Sequence, residues 1–200
     1  MDLRALCDMV EFRVDTWPDR APAGLSQAQR CPVPALITVR RSEEGGQNAL
    51  STAERLLFAR MFLPTATLID VEIASLEEMA GLVMEARAAG VIVVASFHDF
   101  DVTPGLDELR RKRDTALAAG ADMVKFAATL HGAADIATLA ALLEEPDHPP
   151  LSVMGMGRLG RVSRLIFAQL GSVLNYGYLD IPTVPGQWPA ARLRELVREL

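Results

Sequence analysis

Apolar and polar positions follow two rhythms along this chain. Short runs with a period of two, "DMVEFRVD" (8–15), "ALITVR" (35–40), "ATLIDVE" (66–72), "VIVVASFH" (91–98), "DMVKFAA" (122–128), "LSVMGM" (151–156) and "SVLNYGY" (172–178), predict seven strands. Segments with helical spacing lie between and after them, near 48–62, 75–89, 105–119, 132–144, 160–170 and 189–200. "SLEEMAGLVMEARAAG" carries start and stop signals, with Ser75 as N-cap, Glu77 and Glu78 in the first turn and Gly90 at the end. The stretch 16–34, with Pro18, Pro22, Pro32 and Pro34, is poor in helix signals, and "EEPDHPP" (144–150) reads as a polar loop.

Strands alternating with helices imply a parallel sheet covered on both faces, either doubly wound or closed into a barrel. Both architectures gather function at the carboxyl ends of the strands. Side chains two apart share a face, which groups Glu11 with Arg13 and Asp15, Thr38 with Arg40, Asp70 with Glu72, and Ser96 with His98. Lys125 likewise groups with Met123 and Ala127, and Met154 and Met156 with Ser152. Charges repeated on one parity fit poorly under a helix layer and fit well at a barrel mouth. The expected architecture is therefore a (β/α) barrel, one domain over 1–200.

Composition narrows the class of partner. Half of the 200 residues are hydrophobic and 23% are charged, as in a globular chain. The formal charge of −6 argues against a nucleic-acid surface. No apolar run reaches the roughly 18–20 residues that span a bilayer. Cys7 and Cys31 lack metal-ligand spacing and read as ordinary free thiols, and no secretory leader is evident, so the expectation is cytoplasmic.

Lys125 is one of only two lysines, the other being Lys112. Within the strand-like "DMVKFAA" its amine must snorkel to a carboxylate, enter a cavity or react. Arg13, Arg40 and His98, expected at the same mouth, together with burial would depress its pKa and leave neutral nucleophile near neutral pH. Imine chemistry at such a lysine also needs a group to move protons, and His98 on the neighbouring strand suits it. Glu44 precedes two glycines in "SEEGG", where backbone can approach a ligand closely. His131 and His148 read as loop residues.

A competing signal is "GMGRLG" (155–160), which fits G-x-G-x-x-G after a strand and before a helix, with Asp180 twenty residues on. It would imply a nicotinamide-dependent oxidoreductase. Only 40 residues follow Gly160, too few for the rest of a dinucleotide-binding sheet, and the motif leaves His98 and Lys125 idle.

Six blocks in order, "VEFRVD", "ITVRRSEEGG", "SFHDFDVTP", "ADMVKFA", "MGMGRLGRVSR" and "VPGQ", resemble type I 3-dehydroquinate dehydratase over about residues 8–188. The resemblance implies a (β/α)8 TIM barrel that dehydrates 3-dehydroquinate to 3-dehydroshikimate in the shikimate pathway, through a lysine Schiff base and with neither metal nor cofactor. It makes Lys125 the imine-forming residue, His98 the proton donor and acceptor, and Glu44 the group that orients His98. Glu11, Arg13 and Arg40 become ligands and organisers around the ring hydroxyls, and Arg164 the carboxylate binder. Gln187 closes the site from the last loop, Thr183 stands where a serine is usual, and Phe100, Met154, Met156 and Tyr176 supply apolar walls. The family begins with a strand and a full helix where this chain has "MDLRALC". The expectation is thus a barrel lacking its N-terminal first strand and most of the first helix. A non-catalytic ligand-binding relative and a homodimeric assembly remain open alternatives, with no membrane or nucleic-acid partner.

Overall fold

The computed structural model describes residues 2–182 and 184–200. After a short helix α1 (Leu3–Leu6) the chain alternates in order: β1 (Val10–Arg13), α2 (Ala21–Gln29), β2 (Ala35–Thr38), α3 (Thr52–Phe62), β3 (Leu68–Glu72) and α4 (Ala80–Ala88). It continues with β4 (Ile92–Asp99), α5 (Leu106–Ala118), β5 (Met123–Thr129), α6 (Ala133–Leu143), β6 (Leu151–Met156), α7 (Gly160–Gln169) and α8 (Ala190–Glu199). The six strands form one parallel sheet in sequence order. Each return through a helix brings the next strand beside the last.

The two faces of the sheet carry different chemistry. Outward residues such as Ile37, Ile69, Val93, Val124, Phe126 and Val153 are buried against the helices in the main apolar core. On the inner face an apolar layer of Leu36, Leu68 and Val94 lies below a buried polar layer that includes Thr38, Asp70, Ser96, Lys125 and Ser152. Tyr176 packs against both the Leu36, Leu68 and Val94 cluster and the Ala127, Met154 and Met156 cluster. The two clusters are drawn from β2 to β6, which flat strands would spread across about 19 Å. A ring shared by both clusters fits a sheet that curls. The result is an α/β fold with six parallel strands in a curled, part-barrel sheet.

Three sequence expectations change. The segment 172–178 is no strand of this sheet, so six strands replace seven. One main-chain bond, Val173 N to the Leu151 carbonyl at 2.9 Å, and seryl hydroxyls hold it: Ser172 Oγ accepts from Val153 N at 2.9 Å, and Ser152 Oγ donates to the Leu174 carbonyl at 2.8 Å. The stretch 16–34 does contain a helix, α2, because Pro22 lies in its first turn, where no amide hydrogen is required. Ser75 is not an N-cap: α4 starts only at Ala80, and the buried Ser75 hydroxyl accepts from Arg55 across the helix layer. Elsewhere the signals match, as at α3, where Ser51 and Glu54 form a capping box. Among the described residues no helix is long and apolar enough to cross a membrane.

Among the described residues β1 pairs only with β2, which leaves its other edge open. Beside it lies a cavity of about 470 Å³ between the β1 flank, the Val173–Leu179 segment and α8.

Candidate active site

The inner polar layer is built by neighbouring strands at one height. Ser96 on β4 is in register with Lys125 on β5, and His98 with Ala127, so Lys125 and His98 share the inner face two residues apart. Lys125 is buried, and its Nζ donates to Asp70 Oδ2 at 2.8 Å. The same nitrogen lies 4.6 Å from the centre of the Tyr176 ring. Its direct partner is therefore a carboxylate, whereas the sequence suggested an amine among cations.

Asp70 is the centre of this layer. Its Oδ1 accepts from Ser96 Oγ at 2.5 Å and pairs with Arg40 NH2 at 2.9 Å. Burial opposes its charge, but Arg40 and Lys125 outweigh burial and hold the carboxyl far below the usual carboxylate range. Arg40 also donates to Glu72 Oε1 at 3.0 Å and to Ser96 Oγ at 2.6 Å. Burial works against the guanidinium as well, yet Asp70 and Glu72 keep it charged. Glu72 in turn is gripped on its second oxygen by Arg55 of α3.

His98 is anchored from the β2–α3 loop. Glu44 Oε2 accepts the His98 backbone N–H at 3.0 Å and lies 3.0 Å from its Nδ1. With Glu44 ionised, Nδ1 carries the proton and Nε2 is left as the base. Burial pushes the Glu44 carboxyl up to about 7, helped by Glu72 and opposed by Arg40 and the His98 amide. Burial and the cations Arg40 and Lys125 push His98 well below its ordinary value. Phe100 stacks on the imidazole with ring centres 6.5 Å apart, and at 45% exposed it is an outer cover rather than an inner wall. It lies over Gly45, whose φ of 86° and close approach to the ring leave no room for a side chain.

The remaining predicted residues divide into engaged and available groups. Arg13 is tied to Asp15 at 2.9 Å and to the Gly45 carbonyl, and Glu11 accepts from Thr38 at 2.7 Å. Met154 and Met156 are buried beside Ala127 and Tyr176. Arg164 is buried on α7 with only carbonyls and a thioether for acceptors, those of Gly186, Tyr176 and Met154. Among the described residues it has no carboxylate partner, and burial lowers it to about 10. Gln187 is buried and borders the cavity, while Thr183 lies outside the described residues. Lys125, His98 and Arg40 do not line that cavity, which opens beside their cluster through Tyr176, Glu11 and Arg13.

The glycines of "GMGRLG" have packing reasons. A Cβ at Gly155 would meet Leu130 and Ser163, and one at Gly160 would press on Gly186 at 3.1 Å. Sequence reasoning noted Asp70 and Glu72 as one face of a strand but gave them no role, and Ser96 likewise. Arg55 carried no local signal, because its partners lie on another element. Among the described residues no group of His, Cys, Asp and Glu could hold a metal ion.

Comparison with known proteins places the chain in a family. A family model described as Type I 3-dehydroquinase matches residues 1–200. A 3-dehydroquinate dehydratase of Klebsiella pneumoniae is 33% identical over 208 residues, covering 95% of this chain and 81% of that protein. The crystal structure of 3-dehydroquinate dehydratase from Geobacillus kaustophilus superposes with a TM-score of 0.90 at 29% identity, over 99% of this chain and 82% of the other. The type I enzyme from Clostridium difficile, solved with covalently modified comenic acid, gives 0.87 at 26% identity, over 96% and 81%.

Proposed function

The chain belongs to the type I 3-dehydroquinase family, and on that premise we propose that it is a lyase dehydrating 3-dehydroquinate to 3-dehydroshikimate, a shikimate-pathway step toward aromatic amino acids, through an imine on Lys125. The observation that carries the reading is a buried amine, ion-paired to Asp70, with a Glu44-anchored imidazole on the adjacent strand.

The Lys125 ammonium and the substrate ketone combine into a protonated imine and one water, so positive charge is conserved and Asp70 faces a cation at both ends. The amine is neutral only while the carbon–nitrogen bond forms. His98 Nε2 then takes the proton from the carbon beside the imine, and the electron pair moves to nitrogen as an enamine. When the enamine returns its electrons, the carbon–oxygen bond one position further breaks, and His98 gives its proton to the departing hydroxyl. A second water hydrolyses the conjugated imine and restores Lys125. A His98 held below its ordinary value enters this cycle as a neutral base, and Glu44 supports the imidazolium that follows.

Arg164 is the group for the substrate carboxylate: a buried guanidinium without a carboxylate can bind two oxygens at once. Arg40 organises Asp70 and Glu72, while Glu11 and Arg13 face the cavity where ring hydroxyls would lie. Gln187 closes the site in this reading, and Thr183 keeps the substrate-binding role that the resemblance gives it. We read the gap between β1 and β6 as the part of a (β/α)8 barrel wall where two further strands would stand, since the open edge of β1 and the cavity adjoin there. A chain of this kind works in the cytoplasm.

Borohydride added with 3-dehydroquinate is expected to leave a reduced adduct on Lys125 by mass spectrometry, and Lys125→Ala to leave none and no turnover. Turnover without an adduct would reject the imine.

A further inference from the structure

We infer that the Tyr176 hydroxyl is a substrate-contacting donor, held without a protein partner so that an oxygen of a hydroxylated ring can accept from it. The inference rests on the dehydratase reading above.

Among the described residues, the Tyr176 hydroxyl is the one shielded side-chain nitrogen or oxygen with no hydrogen-bond partner. Folded proteins leave few such groups, and each needs a cause. Packing is not the cause here. The ring packs against the Leu36, Leu68 and Val94 cluster and against the Ala127, Met154 and Met156 cluster, and phenylalanine would supply the same apolar surface. The hydroxyl is therefore an addition the fold does not use.

Its position gives it a use. Lys125 Nζ lies 4.6 Å from the ring centre, and the same side chain borders the 470 Å³ cavity together with Glu11 and Gln187. Tyr176 thus stands between the open space and the amine proposed to react. Burial, with the Glu11 and Asp70 carboxylates, holds the phenol well above its usual value, so it keeps its proton and offers a donor. A cyclic keto acid bearing ring hydroxyls supplies the acceptor. Tyr176 then tells a hydroxylated ring from a bare one, because a site that pairs a ligand hydroxyl is left unsatisfied by the analogue lacking it.

Tyr176→Phe separates this role from a structural one. The inference expects KM for 3-dehydroquinate to rise about 10-fold with kcat within about twofold, since the contact is present in both ground and transition states. It also expects the melting temperature to stay level or rise, because a buried orphan group disappears. Unchanged KM would overturn the inference, leaving the hydroxyl as a tolerated misfit. A lower melting temperature would overturn it too, since the hydroxyl would then have a partner within the fold. Borohydride trapping in the unaltered protein keeps the two readings apart. An adduct on Lys125 with unchanged KM in Tyr176→Phe defeats only the present inference, whereas turnover without an adduct defeats the imine reading beneath it.

Discussion

Replacing Glu44 by glutamine should stabilise the protein at alkaline pH while impairing it as a catalyst. Folding takes this carboxyl from 4.5 to about 7, chiefly by burial. At about 1.4 kcal/mol per pH unit, keeping it ionised in the folded state costs about 3 kcal/mol. Below pH 4.5 both folded and unfolded chains are protonated at this site and the cost vanishes. Between 4.5 and about 7 the folded state binds more protons, so stability falls as pH rises, and above that the full cost stands. His98 has the opposite sign: its folded value is depressed, so its contribution is lost as pH falls below 6.5. Because both proteins contain His98, the difference between them isolates Glu44. Thermal melts of the two proteins from pH 4.5 to 8.5 should show curves that meet at the acid end. They should separate by about 2–3 kcal/mol at pH 8, or about 4–12 °C for a chain of this length. The amide oxygen still accepts the His98 N–H but brings no charge to the imidazolium, so kcat should fall about 10²-fold. A pH-independent gap, or a variant less stable at pH 8, would refute the burial argument for Glu44.

Two further substitutions test the charges around it. Glu72→Gln removes the carboxylate that Arg40 and Arg55 share, and should cost about 3–5 kcal/mol in urea unfolding, as for other broken buried pairs; a loss below about 1 kcal/mol would mean the arginines find other partners. Arg164→Met takes away a buried cation that has only carbonyl and thioether acceptors, so stability should hold or improve while KM rises about 10²-fold. An unaltered KM would remove Arg164 as the carboxylate binder.

Strand parity was the legible part of this molecule. Period-two spacing in "LIDVE", "VASFH" and "MVKFA" grouped Asp70 with Glu72, Ser96 with His98 and Lys125 with Ala127, and the register of adjacent strands joins these groups on one face. The ion pair of Lys125 with Asp70 was not legible. It spans from β5 to β3 past β4, and only the curl of the sheet makes that reach short. Tyr176 and its segment failed for a related reason. "SVLNYGY" has strand spacing, but a main-chain bond at Val173 and the hydroxyls of Ser152 and Ser172 tie it to β6 where a full ladder was expected. α2 was hidden because four prolines between 16 and 34 look prohibitive until one falls in a first turn. Ser75 shows a local signal losing to a distant one: its hydroxyl serves Arg55.

Arg55 carries a broader consequence. From α3 it reaches the Val39 carbonyl, Ser75 and Glu72, and through Glu72 and Arg40 it leads to the carboxylate beside Lys125. The outer shell and the buried Lys125 amine are thus joined by a continuous ladder of alternating charges. Evolutionary drift on that flank of the shell is not free of the chemistry. A change that merely reseats one helix alters the field at the amine, so lineages that exchange Arg55 should carry compensating exchanges at position 72 or 40.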